Sequence, residues 1–201
     1  LALERCRTLI ADMASYAMES MRESLGAVLA CTPKAAENIR EDEARTDHYE
    51  DIIGSYLVKL SARKIGETDS ALAAEYLRLI GDFERIADHS VNILESAEEL
   101  KNKGISFSPA ARQEYQIMSA AVREVTGLAY TAFVTGDIGA ARRIEPLEQV
   151  IDDLKEELRT RHIRRMQQGT CGIEAGFIWS DLLTDLERVS DHCSNIACCI
   201  V

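Results

Sequence analysis

DFERIADHSVNI, Asp82 to Ile93, is repeated in the same chain as DLERVSDHCSNI, Asp185 to Ile196. Asp82, Glu84, Arg85, Asp88, His89, Asn92 and Ile93 each return unchanged 103 positions later. Seven identities in twelve aligned positions exceed what acidic composition alone produces, so the chain reads as a duplication.

Working outward, the flanking pattern duplicates too. Apolar residues Leu9, Ile10, Met13, Ala17, Met21, Leu25, Val28 and Leu29 recur at three and four, which predicts an amphipathic helix over residues 3–29. Thr32-Pro33 is a capped helix start, and a second helix is expected to run to about Lys64, with Ile39, Tyr49, Ile53, Tyr56 and Leu60 on one line. The third, from about Ser70 to Lys101, carries the phrase. Ser108-Pro109 repeats the capped start, and three more helices are expected over 110–135, 137–168 and 176–201, with Gly136 and Asp137 as stop and cap. QQGTCGIEAG, 167–176, reads as a long mobile loop. KNKGISFS, 101–108, reads as the boundary between halves, which align at an offset of 105 in their first two helices and 103 in the third, so the last connecting loop is two residues shorter than its counterpart. The expected architecture is all-α: two tandem pseudo-symmetric antiparallel three-helix bundles, residues 1–104 and 105–201.

Composition agrees. The 201 residues hold three prolines and few aromatics, and the length permits a sizeable core. A net charge of −11 disfavours nucleic acid and anionic membrane surfaces and favours cations and basic protein partners. Six cysteines without a C-x-x-C pair read as reduced thiols of a cytoplasmic chain. No apolar run approaches the roughly 20 residues of a membrane span. The missing initiator methionine and the opening at Leu1 within a helical pattern suggest a piece excised from a longer polypeptide.

The chemistry lies in the carboxylates. With 34 acidic residues, about six pairs of acids four residues apart are expected from composition alone, so position must carry the argument. Glu43 with Asp47, Glu84 with Asp88, Glu148 with Asp152, and Glu187 with Asp191 stand one pair on each second and third helix, related by the repeat offsets. Four residues is one turn plus about 40°, so each pair shares a helix face, about 100° from the centre of the apolar stripe. Two neighbouring helices with such shoulders meet at a rim, where four converging carboxylates repel unless a cation joins them. Oxygen-only ligands suit iron, manganese, magnesium or calcium better than structural zinc. The competing reading is a solvated acidic face. In the second helix the core-line neighbours of Glu43 and Asp47 are Asp42 and Thr46, so either the register shifts there by one residue or the first rim is wetter than the second.

Arg85 and Arg188 stand beside the acids, as clamps on them or as plain surface ion pairs. His89 and His192 fall about 140° round the helix from Glu84 and Glu187, which favours an interhelical hydrogen bond over metal ligation. Asn92 and Asn195 either orient a ligand or bond a neighbouring helix. None of the four histidines has glutamate three residues before it, as a ferritin-like di-iron bundle requires. No serine or cysteine nucleophile and no glycine-rich phosphate loop is recognisable, and no enzyme activity is expected.

Paired E-x-x-x-D acids on the second and third helices, with a third-helix phrase E-R-[IV]-x-D-H-x-x-N-I at Glu84 to Ile93 and Glu187 to Ile196, resemble the PhoU family of phosphate-uptake regulators across essentially the whole chain. The resemblance implies two three-helix bundles and multinuclear iron or zinc clusters on the bundle surface, one held by Glu43, Asp47, Glu84 and Asp88 and the other by Glu148, Asp152, Glu187 and Asp191. DLLTDLERVSDHCSNIA, 181–197, is most similar to the PhoU-like cytosolic domain of bacterial sodium/phosphate cotransporters. That implies a regulatory, metal-binding module of phosphate homeostasis whose partner is a transporter's membrane domain or a phosphate-sensing kinase, or a second copy of the chain. The alternative is a purely structural interaction module without functional metal.

Overall fold

The computed structural model describes residues 2–63 and 65–201, which form six helices. These are α1 (Ala2–Ala27), α2 (Pro33–Ser61), α3 (Glu67–Lys103), α4 (Pro109–Thr135), α5 (Ile138–Gln167) and α6 (Ile173–Cys198). Their starts follow from side-chain chemistry. The amide of Ala35 donates to Thr32 Oγ1 at 3.2 Å, that of Ala111 to Ser108 Oγ at 3.2 Å, and that of Ala140 to Asp137 Oδ1 at 3.0 Å. Pro33 and Pro109 occupy first turns, where no donor is needed. Gly104 at φ 64° and Gly136 at φ 70° close α3 and α4 in the left-handed region, which a Cβ disfavours.

The α1, α2 and α3 helices pack on one another, as do α4, α5 and α6, and the halves meet through α3 against α6 and α1 against α4. One apolar core runs through both, with Ile10, Met21 and Phe83 in the first half and Met118, Ile151 and Leu186 in the second. Phe83 meets Phe133 edge-to-face at 5.6 Å, and Tyr115 donates to the Leu25 carbonyl at 2.6 Å. Each contact crosses from one half to the other. Within the second half, Arg165 clamps Glu114 with two hydrogen bonds of 2.9 and 2.8 Å, joining α5 to α4.

Several expectations need correction. The anticipated end of α2 at Lys64 lies outside the described residues; the helix stops at Ser61. Tyr56, three residues after the buried Ile53, is exposed, and Leu57, four after it, takes the core position, since a period of 3.6 allows either step. Leu29 is exposed because α1 ends at Ala27. The long loop over 167–176 shrinks to residues 168–172: Gly172 is the N-cap and Gly176 lies inside α6. Gly176 is there for space, not for flexibility, since a Cβ would stand 2.7 Å from Met166 Sδ and 2.8 Å from His162 Nε2. At its other end α6 stops at Cys198. Pro146 lies within α5, where it removes a backbone donor at a cost of about 3 kcal/mol, and the helix continues through it.

Candidate functional site

The register of α2 decides the first rim. Asp42 and Thr46 occupy the buried line despite being polar, with the Thr46 hydroxyl donating to the Asp42 carbonyl at 2.7 Å and Arg45 donating to the Asp42 carboxylate at 3.2 Å. The core line is therefore where periodicity put it, and Glu43 and Asp47 stand on its shoulder. Asp47 and Glu84 come together there with a residue that the paired motif misses, Glu50. Oxygens of Asp47, Glu50 and Glu84 all lie within 4.8 Å of one another. Glu43, Asp47 and Glu50 are i, i+4 and i+7 of one helix, so the signal for Glu50 was the next position along the same face.

Crowding shows in the protonation of these acids. Burial pushes Glu43 above the usual carboxylate range, and the charges of Asp47 and Asp88 push it further. Glu50 is raised by burial and then by Asp47, Asp51 and Asp88, against the opposing charge of Arg85. Glu84 rises to about 8, first through burial and then through the charge of Asp88, a hydrogen bond to Asp88 and the charge of Glu50. Asp88 itself takes an ion pair from Arg85 at 3.2 Å.

The second rim carries its acids at the repeat-equivalent positions, but a different three converge, and Asp152 alone stands where a member of the first trio, Asp47, does. Oxygens of Glu148, Asp152 and Asp191 lie within 4.8 Å of one another. Burial is the largest cause raising all three; the next is the charge of Asp152 for Glu148, and that of Glu187 for Asp152 and Asp191. Glu187 is not in this trio. It accepts a hydrogen bond from Lys155 Nζ at 2.9 Å, a pair whose side chains are 21% and 14% exposed. Arg188 flanks the rim and opposes the rise at Asp191.

The rest of the repeated phrase joins the halves. His89 Nδ1 lies 2.8 Å from Asp185 Oδ1, and His192 Nδ1 lies 2.9 Å from Asp82 Oδ1. Asn92 donates to Asp185 at 3.3 Å and Asn195 to Asp82 at 3.1 Å. Each copy of the phrase thus supplies an aspartate to the histidine and asparagine of the other, and the two imidazoles sit 5.6 Å apart between α3 and α6. These histidines and asparagines bond the neighbouring helix. Asn195 also lines both the cleft beside Glu50 and Glu84 and the one beside Glu148 and Asp191, so both clefts border this joint.

Both rims fit a hard cation by their chemistry. Their converging groups are carboxylates, close enough to share one ion, and the carboxyl pKa values are raised first by burial and then by one another's charges. In the second rim the Lys155 ammonium stands among the acids as a cation would.

Residues 10–97 and 115–200 match the model of the PhoU domain. The chain is 32% identical over 120 residues to the phosphate-specific transport system accessory protein PhoU homolog 1 of Thermotoga maritima, covering 60% of this chain and 51% of that protein. It is 24% identical over 187 residues to the "Putative inorganic phosphate export protein YjbB" of Escherichia coli K12, covering 90% of this chain and 34% of that one. The chain therefore spans about half the length of the first relative and about a third of the second. The crystal structure of PhoU from Pseudomonas aeruginosa shares the fold, with a TM-score of 0.91 at 22% identity over 99% of this chain and 95% of that chain.

Proposed function

Because the chain belongs to the PhoU domain family, matched in both its halves, we propose that it is a regulatory module of phosphate transport that takes hard metal cations at its two carboxylate rims. The observation that carries the metal reading is that carboxylates converge at both equivalent helix junctions, α2 with α3 and α5 with α6. Glu43, Asp47, Glu50, Glu84 and Asp88 would hold cation at the first rim, and Glu148, Asp152, Glu187 and Asp191 at the second. A hard cation such as manganese, magnesium, calcium or iron suits this oxygen-only donor set. Bound cation would cancel the repulsion among the acids and tie together the helices that carry them.

The partner in this reading is the membrane part of a phosphate transporter, with the chain as its cytosolic portion. The alignment to a small part of a longer phosphate export protein supports that arrangement, and among the described residues no helix is long and apolar enough to cross a membrane by itself. Elemental analysis of protein purified without chelator tests the metal reading. Bound iron or manganese lost in Glu84→Ala and Asp191→Ala variants, together with altered phosphate uptake in cells carrying them, is the expected result. Metal-free protein whose variants regulate uptake normally would overturn it.

Ile173 and Phe177, one turn apart on α6 and 72% and 69% exposed, favour a second reading in which the helices dock a partner regardless of metal. Partner capture that survives both chelation and the acid-to-alanine changes would select it.

A further inference from the structure

The two rims carry their acids at repeat-equivalent positions, with a single exchange of charge between them. Lys155 stands 105 residues after Glu50, the offset that also separates Glu43 from Glu148 and Asp47 from Asp152. Glu50 contributes one of three converging carboxylates in the first rim. Its counterpart contributes an ammonium that holds Glu187 at 2.9 Å, while Glu187 also neighbours Asp152 and Asp191. The first rim therefore gathers five carboxylates, Glu43, Asp47, Glu50, Glu84 and Asp88, formally −5. The second gathers four, Glu148, Asp152, Glu187 and Asp191, with Lys155 among them, formally −3. Arg85 and Arg188 flank the two rims at equivalent positions and do not account for the difference.

We infer that Lys155 is a tethered cation that makes the rims unequal: metal fills the first rim first, and the second takes it only at higher concentration, in competition with the lysine for Glu187. This rests on the metal reading above and adds an order of loading to it. Fewer anionic ligands weaken the Coulomb attraction for an incoming divalent ion, and a resident ammonium must be pushed aside before Glu187 can coordinate. The consequence is a graded device. At low cation only the α2–α3 junction is tied, and at high cation the α5–α6 junction is tied as well.

The test is Mn²⁺ titration of the chelator-stripped full chain, with bound ion counted by equilibrium dialysis and elemental analysis. Wild type should show two classes of site whose affinities differ by about tenfold or more. Glu84→Gln should weaken the tighter class and Asp191→Asn the looser, which assigns each to its rim. Lys155→Glu should tighten the looser class by about tenfold or more, and Glu50→Lys should weaken the tighter one comparably. Lys155→Met, which removes the ammonium without adding an acid, should fall between and carries the test if Lys155→Glu does not fold. A single affinity class in wild type, or a looser class unmoved by Lys155→Met, overturns the inequality and leaves the metal reading intact. Absence of Mn²⁺ and Fe²⁺ binding at both rims overturns the metal reading itself.

Discussion

Replacing Glu84 by Gln removes the most perturbed carboxyl of the first rim, and its effect on stability should depend on pH in a defined direction. The Glu84 carboxyl is raised from 4.5 to about 8 by burial, then by Asp88 and Glu50. Below about pH 4 it is protonated in both the folded and the unfolded chain and contributes nothing. From there to about pH 8 the unfolded chain has given up a proton that the folded chain keeps, so metal-free stability falls as pH rises, and above that the penalty is complete. At about 1.4 kcal/mol per pH unit the shift bounds the penalty at about 5 kcal/mol. The group opens partly on solvent and shares its proton with Asp88, so about 1–3 kcal/mol is the expected share. In chelator, Glu84→Gln should be more stable than wild type by that amount near pH 9, raising Tm by roughly 3–9 °C, and indistinguishable from it near pH 4. Saturating Mg²⁺ should reduce or reverse the gain, because the amide is a poorer ligand than the carboxylate. Urea unfolding followed by circular dichroism across this pH range is the assay. A difference that does not change with pH, or a variant less stable than wild type at high pH in chelator, would refute the reasoning.

Other perturbations probe the frame around the rims. Phe83, fully buried and edge-to-face with Phe133, joins the halves, and Phe83→Ala should cost about 3–5 kcal/mol in urea unfolding; a loss under about 1 kcal/mol would mean the contact is dispensable. Gly176→Ala must displace Met166 and the buried His162, so it should destabilise by about 1–3 kcal/mol although alanine is the better helix former; a gain in Tm would show that both side chains yield freely. A double-mutant cycle between Asp82→Ala and His192→Ala should give a coupling of about 0.5–3 kcal/mol, whereas Asp82→Ala with His48→Ala should be additive within about 0.5 kcal/mol. Equal couplings in the two cycles would remove the reciprocal bond from the account.

Much of this protein is legible one helix at a time. The caps at Thr32, Ser108 and Asp137 and the glycine stop at 136 were readable because each acts within a few residues of itself. The acidic shoulders were readable because helix geometry alone relates i to i+4. Gly176 was misread because glycine marks both flexible loops and close contacts, and only the positions of Met166 and His162 show which applies.

What the amino-acid order determined by itself is the duplication, six amphipathic helices and two sets of acids aimed toward rims, since all of these follow from local periodicity and an internal offset. What only the tertiary structure decided is which groups meet. Lys155 captures Glu187 from 32 residues away, and His89 and His192 find Asp185 and Asp82 across 96 and 110 residues. Those pairings depend on how α5 lies against α6 and how α3 lies against α6. Helix packing sets that geometry through side chains spread along the whole core, so no short stretch of the chain encodes it.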